Sequence, residues 1–180
     1  MSLAAPASLD GMETGPFVTE RPAQPYVAER CVVTMPTISR AADRIPEVAG
    51  WLAGRGIAPA GAPFLKYDVI DMDGALEIEA GFPLAGPVDA GDPADGDQVF
   101  AGILPAGRYV TLTYVGPYSR LGEVTARLLA WAVERGLEWD MTRTPAGERW
   151  GCRLEIYKTN PAEEPDPGKW ETELAFRLPG

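Results

Sequence analysis

The chain has 180 residues, 46% of them hydrophobic, enough for one domain or for two small halves that share a core. Its 26 acidic and 16 basic side chains leave a formal charge of −10, which disfavours direct binding to nucleic acid unless a local basic patch outweighs it, and no such patch stands out. Histidine is absent, which removes the commonest general base, the commonest metal ligand and every Ser-His or Cys-His nucleophile. The two cysteines, Cys31 and Cys152, have neither metal-like nor redox-like spacing, and no apolar run approaches membrane-spanning length. A reducing cytoplasm is therefore the expected setting, with no membrane association, no metal and no cofactor.

In chain order, residues 1–21 are rich in Ala, Ser, Gly and Pro and read as an untethered tail, leaving the domain proper over 22–180. From Pro25, "PYVAERCVVTM" has the β-branched and aromatic content of a strand. Ile45, Val48, Ala49 and Leu52 then recur at helical spacing, with Gly54 and Gly56 as stops, and Pro46 must either lie in the first turn of that helix or kink it. Two strands follow, "APFLKYDVI" and "ALEIEAGFPL", separated by a turn at Asp73-Gly74. The acidic stretch "AGPVDAGDPADGDQ" reads as a solvated connector without calcium-loop spacing.

The order then repeats. "QVFAGILPAGRYVTLTYVGPY" is a strand pair or one interrupted strand, and Leu121, Val124, Leu128, Trp131 and Ala132 mark an amphipathic helix ending near Gly136. "RWGCRLEIYKT" and "WETELAFRLP" close the chain as strands. "WLAGRGI" answers "WAVERGL", "FLKYD" answers "LEIYK", and "LEIEAGFPL" answers "ETELAFRLP". The expected fold is α+β: duplicated β-α-β-β units, in halves at about 24–86 and 98–179, forming one antiparallel sheet with helices on one face. A ligand cleft is expected where the halves meet, near the pseudo-twofold axis.

Aligning the repeats on Tyr67 and Tyr157 sets Leu65 against Glu155, so one charge breaks the symmetry. Alternation puts Arg149, Gly151, Arg153, Glu155 and Tyr157 on one face of the strand, and Trp150, Cys152, Leu154 and Ile156 on the other, which reads as the core face against the helices. One account of Glu155 is an outward carboxylate paired with Arg153 or Arg149, contributing about 0–1 kcal/mol. The other is a binding group, because the repeat can gather Tyr157, Tyr67, Tyr114, Trp139, Trp170 and Phe64 around it. A carboxylate among rings is partly desolvated, and a flat organic cation relieves that cost with cation–π attraction of about 0.5–2 kcal/mol per ring.

The ordered series "GAPFLKYD", "LEIEAGFPL", "LPAGRYVTLTYVGPYSRL", "LLAWAVERGL", "LEIYKTNP" and "WETELAFRLP" resembles the GyrI-like small-molecule binding family, named for the gyrase inhibitory protein. That family also supplies the effector-binding domains of AraC- and MerR-type multidrug regulators. The resemblance implies a ligand cleft near the pseudo-twofold axis, in which an acidic residue, here Glu155, recognises lipophilic cations. It also supports Tyr157, Trp170, Tyr114 and Tyr67 as cleft residues and matches Glu79 to a recurrent glutamate. Leu154 stands where the family often has an aromatic residue. The short segment before the first strand leaves no room for a helix-turn-helix, so direct transcriptional control is not expected.

Three functions follow as expectations. The first is a standalone protein that senses or sequesters amphipathic, cationic or aromatic compounds through Glu155, Tyr157, Trp170, Tyr114, Tyr67, Phe64 and Trp139. The second is a metal-independent hydrolase of reactive small molecules, like some standalone members of the family, with Glu155, Tyr157 and Tyr114 as catalytic candidates. The third is a protein-interaction module whose partner is gyrase or a separate regulator.

Overall fold

The computed structural model describes residues 12–91 and 98–180. Within them the elements run β1 (Met12–Arg21), β2 (Gln24–Val33), α1 (Ser39–Ala42), α2 (Ile45–Ala53), β3 (Phe64–Ile70), β4 (Leu76–Pro83), β5 (Val99–Leu104) and β6 (Gly107–Val115). They continue with α3 (Leu121–Glu134), β7 (Met141–Thr144), β8 (Gly147–Trp150), β9 (Arg153–Tyr157) and β10 (Glu171–Arg177). Pro46 sits in the first turn of α2, where its missing N–H costs no helical hydrogen bond, and Val48 and Leu52 form the buried stripe. Along α3 the stripe is Leu121, Val124, Leu128 and Ala132, and Gly136 at φ 64° supplies the left-handed residue beyond the helix end. Trp51 and Trp131 stay half-buried on the helix surfaces, each covered by the arginine four residues on, with Arg55 at 3.9 Å and Arg135 at 4.0 Å from the ring centroids.

The protein is α+β, built on an antiparallel sheet ordered β1-β6-β10-β9-β3-β4-β2-β5, with the β7–β8 hairpin attached to β3 through β8. Outward from the β9–β3 junction the two sides read β10, β6, β1 and β4, β2, β5. Each outermost strand precedes one half in sequence but pairs with the other: β1 leads into β2 yet pairs with β6, and β5 leads into β6 yet pairs with β2. At the junction Leu65 pairs with Glu155, flanked by Phe64–Ile156 and Lys66–Leu154. This is the register a twofold relation through Leu65 and Glu155 demands.

Two short connections force the sheet to curl. Two residues separate Arg21 from Gln24, and two separate Leu104 from Gly107. Each link spans six strand spacings of the sheet order, roughly 29 Å if the sheet were flat, whereas three Cα steps reach about 11 Å. The two edges must therefore approach each other at this end. On the face away from the helices, Leu104 of β5 and Tyr109 of β6, from opposite edges, accordingly join one apolar cluster with Tyr26, Phe64, Cys152 and Leu154.

The opposite face packs on the helices. Leu65, Tyr67, Ile78, Leu112, Leu174 and Phe176 form one cluster with Ala41 of α1 and with Leu121, Val124 and Leu128 of α3. Val27 and Phe82 pack with Val48 and Leu52 of α2. The assignment of Cys152, Leu154 and Ile156 to the helix face is thus reversed. Both faces are apolar, so alternation identifies the residues that share a face without telling which face meets the helices. Trp150 does lie on the helix side, because β8 ends there and Gly151 and Cys152 break the alternation before β9 begins.

The expected tail is also corrected over Met12–Arg21, which pairs with β6 along its length; residues 1–11 lie outside the described residues. Register shifts between Met12 and Thr14 and between Thr14 and Phe17 interrupt its alternation, which hid the strand. The expected connector falls partly on residues 92–97, also outside the described residues. Because β1 covers the edge of β6 and places Arg21 against Glu173, deleting residues 1–21 is expected to cost about 3 kcal/mol or more, a fall in Tm of roughly 6–12 °C. A thermal melt followed by circular dichroism checks this, and an unchanged Tm would return these residues to the status of a tail.

Candidate ligand-binding site

β9 carries Arg153, Glu155 and Tyr157 on its helix-facing side, since Glu155 lies directly opposite Leu65, a member of the helix-side core, and Tyr157 packs against the same core. Glu155 is half-buried, and Tyr157 Oη donates to its Oε2 at 2.6 Å. Loss of hydration raises the Glu155 carboxyl above the ordinary glutamate value, opposed by the hydroxyls of Tyr157 and Tyr67 and by the charge of Arg153. Burial and the neighbouring Glu155 charge push the Tyr67 and Tyr157 hydroxyls well up, so both remain protonated donors at neutral pH. The group is one acceptor with phenols around it.

Aromatic rings extend from this point in two directions. On one side Tyr157 meets Tyr118 edge-on at 5.4 Å between centroids, and Tyr118 meets Trp170 at 4.6 Å. Trp170 is fixed by its Nε1 donating to the Glu164 carbonyl at 2.8 Å and by its own carbonyl accepting from Gly116 N at 2.8 Å. On the other side the Arg153 guanidinium lies over Phe176 at 4.5 Å, Trp150 at 4.7 Å and Tyr67 at 5.9 Å, and Trp139 packs against Trp150 and Phe176. Among the described residues no ion pair joins Arg153 to Glu155, which it affects through its charge, and Arg149 is exposed. The account of Glu155 as an outward surface ion pair is therefore corrected. Next to Tyr157 in register, the buried Thr172 Oγ1 has no hydrogen-bond partner among the described residues.

Glu155, Tyr157, Tyr67 and, through Tyr118, Trp170 are thus brought together, while Trp139 stands at the Arg153 end. Tyr114 shares the helix-side cluster with Tyr67 and Tyr157, in line with Tyr157 across β10, but its hydroxyl is turned elsewhere. It is 1% exposed, with its hydroxyl donating to the Pro117 carbonyl at 3.2 Å, and Gly116 at φ 152° leaves room for it where a Cβ would come 2.2 Å from its Oη. Phe64 is misplaced by the sequence reading. One residue from Leu65, it points to the opposite face and packs edge-on against Tyr26 at 5.5 Å. Parity with Leu65 was the signal that could have excluded it. Tyr118 was missed because it lies in a 3-10 turn, Tyr118–Arg120, with no periodicity to reveal it.

Other reactive groups are closed off. Burial pushes the Cys152 thiol up to about 11, so it is not a nucleophile at neutral pH. Glu79 faces away from the helices, 3% exposed, where it accepts from Tyr26 Oη at 2.6 Å and lies 3.5 Å from Lys66 Nζ. This arrangement ties β2, β3 and β4 together. Among the described residues no three acidic or cysteine side chains gather as a metal site requires.

The chain belongs to the GyrI-like family: the model of the GyrI-like small molecule binding domain matches residues 15–179. The fold is shared with solved structures of low sequence identity. The EcmrR C-terminal domain is 17% identical with a TM-score of 0.66, over 93% of this chain and 99% of that one. SAV2435 bound to tetraphenylphosphonium is 11% identical with a TM-score of 0.61, over 93% and 95%. A hydrolase from Listeria innocua is 15% identical with a TM-score of 0.57, over 91% of both chains. In the EcmrR–DNA complex, where identity is 18% and the TM-score 0.71, the match covers 91% of this chain but 57% of the EcmrR chain. Among curated proteins none matches.

A carboxyl whose pKa is higher in the folded than in the unfolded chain stabilises the fold while protonated and loses that contribution as pH rises through its folded value. Glu155→Gln stays uncharged throughout. Urea unfolding is expected to give similar stabilities for parent and variant near about pH 4, with the variant gaining on the order of 1 kcal/mol by about pH 7. A gap that narrows as pH rises would contradict the desolvated position of Glu155.

Proposed function

We propose that the protein binds small amphipathic aromatic molecules, cations among them, between the sheet and its helices, with Glu155 as the polar anchor and Tyr157, Tyr67, Tyr118 and Trp170 as the aromatic surround. The observation that carries this reading is the Glu155 carboxylate, half-buried and held by the Tyr157 hydroxyl without an ion-pair partner among the described residues. A cation arriving beside it restores the interaction that desolvation removed, and the rings add stacking area with little rotamer entropy to lose. Tetraphenylphosphonium bound to SAV2435, a protein of the same fold, supports a lipophilic cation as the first ligand to try.

With tetraphenylphosphonium as titrant and tryptophan fluorescence as readout, Glu155→Gln is expected to weaken binding about tenfold or more, near 1.4 kcal/mol. Unchanged affinity would remove Glu155 from the role. Arg153 places a like charge next to the carboxylate while its stem and guanidinium fill space among Tyr67, Trp150 and Phe176. Arg153→Met preserves most of that packing and is expected to tighten cation binding several-fold, an effect that about 0.5 M salt should diminish. Weaker binding in this variant would show that the ligand depends on the guanidinium.

A second reading rests on the same carboxyl. Raised by burial and contacted by protonated tyrosines, Glu155 has the properties of a general base toward water, with Tyr157 placed to steady developing negative charge. A strained electrophile such as an aryl epoxide tests it. Diol formation that stops in Glu155→Gln supports hydrolysis, and a substrate that is bound but never turned over limits the site to binding.

A further inference from the structure

A cavity of about 480 Å³ lies on the face of the sheet away from the helices, at the end where the two short connections draw the edges together, and Glu155 does not line it. Its apolar walls include Phe64, Leu104, Leu154 and Ile156. Its charged side chains are Arg21, Lys158 and Glu173. Lys158 Nζ is 2.8 Å from Glu173 Oε2, and Arg21 pairs with Oε1 of the same carboxylate. Two cations therefore share one anion, leaving the wall with an excess positive charge in a chain whose formal charge is −10. The buried Nε of Arg21 has no hydrogen-bond partner among the described residues.

The other half of the sheet carries a related cluster. Arg21 lies opposite Gly107 on β6, and Leu104 lies opposite Gln24 on β2, so the matching segments "RPAQPY" and "LPAGRY" occupy equivalent places. The same correspondence relates Glu173 to Glu79, which stand opposite Thr113 and Arg30 on β6 and β2. Glu79 accepts from Tyr26 Oη and pairs with Lys66, whose side chain is 11% exposed, and with Arg30 at 3.5 Å, which is 71% exposed, lies over the Phe100 ring and does not line the cavity. Around Glu173 the cation side chains remain open, Arg21 at 29% and Lys158 at 41%, and both border the cavity. An arginine also stands where the symmetric position is leucine. Both glutamates thus hold two cations, and the difference is that both cations on Glu173 line an apolar cavity.

We infer that this cavity is a second binding site, for an amphipathic organic anion: a flat or branched apolar body against Phe64, Leu104, Leu154 and Ile156, and a carboxylate or sulfonate received by Arg21 and Lys158. The volume falls within the range of small-molecule pockets, and Arg21, whose Nε has no hydrogen-bond partner among the described residues, can offer an anion charge-assisted hydrogen bonds. The site is independent of Glu155 and prefers the opposite ligand charge.

Anilinonaphthalene sulfonate, whose fluorescence rises on entering an apolar site, is the probe. The folded protein is expected to bind it saturably at one site, with Arg21→Met and Lys158→Met each weakening it about tenfold. Glu173→Gln, which frees both cations from their shared partner, is expected to tighten it. Naphthoate should displace the probe, and the neutral alcohol of the same skeleton should do so at least about tenfold less well. Because Arg21→Met also removes an ion pair, Leu104→Trp provides a check that leaves the charges in place. Filling the cavity should abolish binding while the protein still melts cooperatively. Glu155→Gln should leave probe binding intact, which separates this inference from the proposed cation site. Absence of saturable binding, retention of full affinity in Leu104→Trp or in both cation variants, or displacement by tetraphenylphosphonium acting through Glu155 would each overturn it.

Discussion

The junction between β3 and β9 is the constraint on which the rest of the molecule depends. Three residue pairs make it, and their register sets which side chains of β3 and β9 face the helices and which face the cavity. Slipping it by one residue would turn Glu155 to the cavity side and bring Leu154 beneath the helices, exchanging the chemistry of the two faces. What holds the register is apolar on both sides at once: Leu65 in the helix-side core, and Phe64 and Leu154 in the cluster opposite. Glu155 can remain half-desolvated at the centre because its neighbours, and not its own interactions, fix the strand.

The organisation of the fold was legible in the sequence. The α+β class, the antiparallel sheet and the stripes of α2 and α3 follow from periodicities of 2 and 3.6 and from helix-stop chemistry, whereas the β7–β8 hairpin that the second half inserts before β9 does not. The orientation of β9 was not, for a physical reason. In a sheet with one solvated face, apolar parity identifies the core, but here Cys152 and Leu154 are as buried as Leu65 and Tyr67 on the other side. The parity of Glu155 with Tyr157 was visible, and so was its place against Leu65, yet only the packed structure tells which face meets the helices. Tyr114 and Phe64 show the same limit from another side, since aromatic content near a site in sequence carries no information on depth. The strand at Met12–Arg21 escaped because its register shifts erase alternation where the composition is already loop-like.

The two faces of the sheet divide polar chemistry between them. Beneath the helices an acceptor stands among phenols and indoles, with a stacked guanidinium held at a distance from it. Opposite, two symmetry-related glutamates are each neutralised by cations, one deeply enclosed and one at the edge of a cavity. Near-equivalent backbones thus support different electrostatics through single changes, Leu65 against Glu155 and Leu104 against Arg21.

The exchange of outer strands gives the architecture a mechanical character beyond its shape. Because the strand that precedes each half is clasped by the other, neither half completes its own sheet, and pulling β1 from β6 loosens the half to which β1 does not belong in sequence. Two repeats laid side by side could open like a hinge. These are interlaced, so opening one half from the other means breaking the β1–β6 and β2–β5 ladders as well as the Leu65–Glu155 seam.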